Sequence, residues 1–525
     1  MLLHDLLSES AKSFPDKLAA VFSKEQVTFS ALEKQSLQVA TRLHKLGIGS
    51  GSRVAILYEN TLASLVYYWG ILKSGAVTID IPTLAGQATI ESVLKESRPD
   101  ALAVQPRHLK RIVAEAWSTC PTILFSSQDG EAFAAPLVTN GVSFHALEEI
   151  TKTEQNLVEP PRAMPSDVAM IIYTSGTTGR PKGVMLSHFN LISNVTAFNS
   201  RIGLTSEDSL LLVAPLYYIH GRIQLLTHTT IGGTLFFSAG FQFPQTVLDE
   251  LARYAPSGIS GVPYHFSTLL QHTKLKQTPL PRLRNITITG GALPPNTLRE
   301  LQDAVPHVAI HVNYGQTEAS PRLTYHGPSE QIFARPTSCG RPLPGVKIEI
   351  LGKDGIPQKP GIIGEVVATS PGIMQGYVSG DERRSGVIDA KGRLHTGDQG
   401  WLDVEGYLFL VGRKSEMIKS AGERIFPREI EEVLQLHPSI HESAVFGIPD
   451  TILGERLIAC VVLAEGHEIS FRNIKTHCLQ HLPHVRTPKA MYVLSDIPKT
   501  PSGKIRRDVL RSLCESSASH IEFVQ

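Results

Sequence analysis

The chain has 525 residues, 42% of them hydrophobic and 19% charged, with 50 Lys and Arg against 49 Asp and Glu. That composition excludes a disordered chain, and the formal charge of +1 gives no electrostatic support to nucleic-acid binding. The length exceeds what one core organises, so two or more domains are expected.

Five cysteines, Cys120, Cys339, Cys460, Cys478 and Cys514, are scattered and odd in number. This argues against a disulfide framework and for a reducing compartment, the cytoplasm. No apolar run reaches the about 18 residues that span a bilayer, so no membrane span is expected. The first 17 residues, MLLHDLLSESAKSFPDK, read as an amphipathic helix and not as a secretion signal. Ser30 and Glu33 form a capping box for a helix carrying Leu32, Ala40, Leu43 and Leu46, which Gly47 stops. A strand at 54–57, a helix at 63–72 and a strand at 76–81 follow. That alternation predicts α/β layers with parallel strands. Residues 150–167 are polar and proline-rich, a surface connection.

The most informative stretch is 168–188, VAMIIYTSGTTGRPKGVMLSH. An apolar strand at 168–173 runs into a loop of Thr, Ser and Gly. A helix with Leu191, Ile192, Val195 and Phe198 comes next. Glycines let backbone N–H groups turn toward an anion. The hydroxyls of Thr174, Ser175, Thr177 and Thr178 add donors, and Lys182 adds a full charge. This is a phosphate cradle without the spacing of a Walker loop. Between 330 and 410 Gly and Pro recur and short β-like runs appear at 346–351, 364–368 and 407–411. After Gly412 comes a segment the size of a small domain. Pro427 opens a helix there with Ile430, Val433 and Leu434 on one face, and strands are expected at 443–447 and 457–463.

The run TSGTTGRPKG at 174–183 resembles the signature loop of the adenylate-forming superfamily. That superfamily includes acyl- and aryl-CoA synthetases, the adenylation domains of nonribosomal peptide synthetases and firefly-type luciferases. The resemblance extends in order from about residue 28 (TFSALE, then GILKSGA at 70–76) to about residue 507. It implies a large N-terminal AMP-binding domain at 1–411, built of layered α/β subdomains with a β-rich subdomain at 330–411. A hinge at 412–416 and a small mobile α+β C-terminal domain at 417–525 complete the expected architecture.

The resemblance also assigns roles. The cradle is Thr174, Ser175, Gly176, Thr177, Thr178, Gly179 and Lys182. NYGQTE at 313–318 is similar to the second signature, in which Tyr314 packs on adenine beside Asn313, Thr317 reaches the phosphate, and Glu318 holds Mg²⁺, with Thr174 as its companion. A hard carboxylate suits that ion. ITITGGALPP at 286–295 resembles a turn beside adenine and the acyl pocket, which points to Gly290 and Gly291. HTGDQG at 395–400 implies that Asp398 accepts hydrogen bonds from the ribose, joined by Arg413. In 412–433 the family usually has Asp or Lys at the hinge, and here Ser415 stands there. Gly422 would line the pantetheine tunnel. PKTPSGKIRR at 498–507 resembles the C-terminal lysine loop, with Lys504 as the residue that enters the site for adenylation.

The acid is less constrained. In APLYYIHGR, 214–222, Tyr218 occupies a position where many acyl-CoA synthetases have His, and His220 sits two further on. The Asp that holds a substrate ammonium in amino-acid-activating domains is missing. Burying an unpaired ammonium is costly, so a fatty, aryl or other non-amino acid is expected. Tyr218, Val262, Gly290 and Gly315 are the candidate acyl pocket. The sequence therefore implies an ATP- and Mg²⁺-dependent ligase that makes an acyl-adenylate and transfers the acyl group to CoA. Transfer to a separate holo acyl carrier protein is the alternative. In the C-terminal segment His477, His481 and His484 stand near Cys478, a conceivable zinc site.

Overall fold

The computed structural model describes residues 1–112, 122–126, 143–154, 163–174, 181–291, 293–380, 386–464, 466–467, 471–499, 505–516 and 521–522. Two large sheets enclose a layer of helices. In the first, Ser209–Leu212, Gly258–Gly261, Asn285–Thr289 and Ala309–Tyr314 run side by side and parallel. In the second, Arg53–Leu57, Val77–Asp80 and Val168–Thr174 do the same. The expected parallel α/β layers are thus present, and in this arrangement ligands sit beyond the carboxyl ends of the strands.

The helix Leu62–Lys73 is buried along nearly its whole surface, including Tyr67, Tyr68 and Trp69. An all-round apolar helix must lie between layers. Each such aromatic side chain contributes about 1.5–3 kcal/mol by leaving water. The central core joins both sheets through it, with Val54, Ile56 and Met170 on one side and Leu210, Leu212 and Leu235 on the other.

Two local expectations are corrected. The helix Phe29–Lys45 is capped by Thr28, whose Oγ1 accepts from Ala31 N–H at 3.2 Å, and not by Ser30. Glu33 leaves its own helix end for Lys73 Nζ, 2.8 Å away, because a buried ammonium demands a partner more strongly than an exposed helix end. The cradle also does not run straight into a helix. Val168–Thr174 and Lys182–Ser187 form an antiparallel hairpin that pairs Thr174 with Lys182, and the helix His188–Ile202 follows. Ser187 and Asn190 start that helix with reciprocal side-chain bonds of 3.0 and 2.9 Å.

The expected β-rich stretch is antiparallel. Its strands continue the first sheet by way of Thr324–His326 and Ser338–Pro342, so they do not stand as a separate sheet. Beyond Leu408–Arg413 a short turn, Lys414–Glu416, leads to a further sheet with its own core around Ile418, Ile430, Val445 and Val461. No helix among the described residues is long and apolar enough to cross a membrane.

Candidate active site

A cavity of about 1070 Å³ opens at the carboxyl ends of the first sheet's parallel strands. Register explains why its wall is assembled there. Thr289 pairs with Asn313, and Gly261 with Ile288. The residues leaving these strands, Val262, Gly290, Gly291 and Tyr314, therefore meet at one edge and line the cavity. Gly315 follows directly. A Cβ there would stand 1.7 Å from the carbonyl oxygen of Pro321, so only glycine lets the two backbones pass.

At one end Thr174 and Lys182 flank the Thr/Ser/Gly loop, and both line the cavity. Ser175, Gly176, Thr177, Thr178 and Gly179 lie outside the described residues. Lys182 Nζ sits 5.2 Å over the ring of Tyr377. The Tyr377 hydroxyl donates to Glu318 Oε1 at 3.0 Å, which fixes the carboxylate beside Thr317 in the turn Thr317–Ala319. Tyr314 donates its hydroxyl to Asp398 Oδ2 at 2.6 Å, and Arg413 Nε lies 3.3 Å from Asp398 Oδ1. Burial, reinforced by the Asp398 charge, holds the Tyr314 phenol well above its ordinary pKa, so it stays a donor. Asn313 is buried, and neither Oδ1 nor Nδ2 has a partner among the described residues. A donor and an acceptor on one amide, both unspent, match a ligand edge with the reverse pattern.

The other end is built around the helix Ile219–Thr230. Tyr218 stands at its start, edge-on to Tyr217 with ring centroids 4.7 Å apart, and burial pushes its phenol up to about 12. His265 stacks on Phe241 at 4.1 Å, and burial pushes its pKa down to about 4. His220 Nε2 lies 2.9 Å from Ser260 Oγ, which accepts from Gln224 Nε2 at 2.8 Å. Burial, then His265 and Arg322, push His220 down to about 3, so its ring is neutral at pH 7.

The cavity thus gathers Thr174, Lys182, Tyr218, Val262, Gly290, Gly291, Asn313, Tyr314, Gly315, Thr317, Glu318, Asp398, Arg413 and Ser415 from the sequence-derived candidates. Gly422, with a φ of +81° in an exposed turn, is not among its lining residues. Lys504 lies outside the described residues. Its neighbourhood is nonetheless at the cavity, because Lys499 bridges to Ile505, lines the wall and holds its Nζ 5.0 Å over the ring of Tyr264. Sequence reasoning missed Tyr377, Gln224, Ser260, Arg322 and Lys499. Gln224 carried a signal, a polar residue one turn after His220 on the same helix, and Lys499 lies inside the PKTPSGKIRR string. The zinc reading fails among the described residues. His477 Nε2 and His481 Nδ1 each meet a backbone carbonyl, of Val433 and His477, and no group of three metal-binding side chains forms.

Comparison with known proteins agrees with this geometry. Residues 7–378 match the AMP-binding enzyme family, and residues 429–504 match the AMP-binding enzyme C-terminal domain. The oxalate–CoA ligase of Arabidopsis thaliana is 30% identical over 517 residues, covering 97% of this chain and 98% of that protein. The long-chain-fatty-acid–CoA ligase of Bacillus subtilis is 28% identical over 539 residues, covering 99% and 95%. The crystal structure of ATP-bound MatB from Rhodopseudomonas palustris superposes with a TM-score of 0.87 at 27% identity, covering 98% of this chain and 99% of that one. The chain belongs to the AMP-binding, adenylate-forming enzymes.

Proposed function

We propose that the chain activates a carboxylic acid with ATP, releasing pyrophosphate, and passes the acyl group to the thiol of CoA. The observation that carries this reading is that one cavity joins the Lys182–Glu318 and Tyr314–Asp398 groups to an aromatic-walled pocket. The chemistry asks for little more. A carboxylate is ionised at neutral pH, so no general base is needed, and the substrate oxygen is itself the nucleophile toward the α-phosphorus. What remains is positioning and charge neutralisation in the pentacoordinate transition state.

Each residue has a part in that. Lys182 and Thr174 face the phosphates, and Asn313 and Tyr314 receive the base. Asp398, steadied by Tyr314 and Arg413, accepts from the ribose. Glu318 and Thr174 offer hard oxygen donors that fit Mg²⁺, and the ion bound there would offset phosphate charge. Lys504, next in the chain to Ile505, which bridges to Lys499, enters for adenylation. Rotation of 417–525 about 412–416 then brings Gly422 to the thiol path. Cysteines few and odd in number suit a cytoplasmic enzyme.

The test is a reaction series with ATP, Mg²⁺, CoA and a panel of acids, following AMP and acyl-CoA by mass spectrometry. Acyl-CoA is the expected product. Adenylate without acyl-CoA would move the acceptor to a holo acyl carrier protein. Lys504→Ala is expected to slow adenylation about a hundredfold or more while sparing thioester formation from preformed acyl-adenylate. Equal loss in both half-reactions would remove Lys504 from its assigned role.

A further inference from the structure

Arg322 is 3% exposed and lines the cavity. Its guanidinium carbon lies 3.7 Å from the centre of the Phe198 ring, and Nη1 donates to Thr227 Oγ1 at 3.1 Å. Nη2 has no partner among the described residues. Burial pulls its pKa down to about 9, and no carboxylate among the described residues holds it up. It is therefore a buried cation at pH 7. Around it the helix Ile219–Thr230 presents His220, Gln224, Thr227 and His228, whose spacing puts them on one face. Both histidines are neutral, pushed down to about 3 and about 4 by burial, with Arg322 a further cause in each. The Asp208 carboxylate acts on His228, but among the described residues none is paired with Arg322 itself. The Arg322 guanidinium is held by Phe198 and Thr227, whereas Lys182 and Glu318 are tied through Tyr377, so the two charged groups have separate supports.

An uncompensated charge in a closed site costs the fold free energy, and a ligand anion removes that cost. We propose that the acid activated here carries a second anionic group, a carboxylate or a sulfonate, remote from the reacting carboxylate, and that Arg322 receives it with His220 and Gln224 alongside. This rests on the reading of the chain as an acid-activating ligase. It also accounts for the missing ammonium counter-ion, because Arg322 repels a substrate cation.

The experiment uses the full-length chain with ATP, Mg²⁺ and CoA and measures AMP release for matched acids. The pairs are pentanoate and glutarate, hexanoate and adipate, and benzoate and terephthalate, with sulfoacetate and sulfopropanoate set against propanoate and butanoate as the sulfonate arm. The expected result is a kcat/KM at least about 100-fold higher for the dianionic member of one or more pairs. Arg322→Met lowers that ratio by a similar factor, and Arg322→Lys, which keeps the charge and part of the packing on Phe198, retains part of it. Equal or better turnover of the monoacids in every pair overturns the proposal and leaves the ligase reading standing. So does a ratio unchanged in Arg322→Met. AMP release with no acid at all overturns both. Should Arg322→Met not fold, the ratio in the unmodified chain and in Arg322→Lys decides.

Discussion

Two arginines meet the same helix, Ile219–Thr230, from opposite sides. Arg222 lies within it, 1% exposed, and clamps the fully buried Asp80 with Nε at 2.9 Å and Nη2 at 2.6 Å, over the ring of Tyr68. Arg322 meets the other face, also buried, and finds a ring and a hydroxyl but no carboxylate among the described residues. A compensated charge ties two layers of the fold together. An uncompensated one facing a cavity has its compensation supplied from outside. Burial alone therefore does not separate structure from recognition, and the presence of a partner does.

Three perturbations test that contrast. The largest effect is expected from Asp80→Asn, which leaves Arg222 buried without its counter-charge. Stability to chemical denaturation should fall by about 3–5 kcal/mol while the ratio of dianionic to monoanionic acid turnover stays unchanged. A shifted ratio would mean that the two faces of the helix are coupled.

Acid comes next. His188, His228 and His311 are buried, and burial pushes each pKa down to about 4 from an ordinary 6.5. These rings stay neutral in the fold but take up a proton near 6.5 once unfolded. Their neutral burial therefore costs nothing above 6.5, and stability falls as the pH drops toward 4, by up to about 1.4 kcal/mol per group for each pH unit. The melting temperature should decline from pH 7 to pH 5. The acid preference, which rests on a charged Arg322 and a neutral His220, should stay flat between pH 6 and 8. A preference that titrates in that window would place a histidine, and not Arg322, at the acid. The smallest effect is expected from Tyr314→Phe, which removes one charge-assisted bond to Asp398. It should raise the KM for ATP about tenfold in a pyrophosphate-release assay.

The fold class and the family were legible because their signals are local. TSGTTGRPKG and NYGQTE are contiguous strings, and the helix at 62–73 announces its burial through the apolar run at 65–72. The hairpin after the cradle was not, because KGVMLS at 182–187 is short and merges with the helix that follows. The cap moved from Ser30 to Thr28 because Glu33 had a stronger partner in Lys73, 40 residues away. Arg322 was invisible for the same reason. It is one arginine in a loop after a motif, and its meaning comes from Thr227, 95 residues earlier, and from the carboxylate that no other element brings to it. Tyr377 and Glu318, 59 residues apart, meet only once the sheets have folded.

The most direct test of the account labels both oxygens of the substrate carboxylate with heavy oxygen and weighs the products. Attack of the carboxylate on the α-phosphorus, followed by thiol attack on the acyl carbon, leaves one labelled oxygen on AMP and one in the thioester. AMP heavier by one labelled oxygen is the expected result. Unlabelled AMP, with the missing label in pyrophosphate or inorganic phosphate, would contradict an acyl-adenylate route in this cavity.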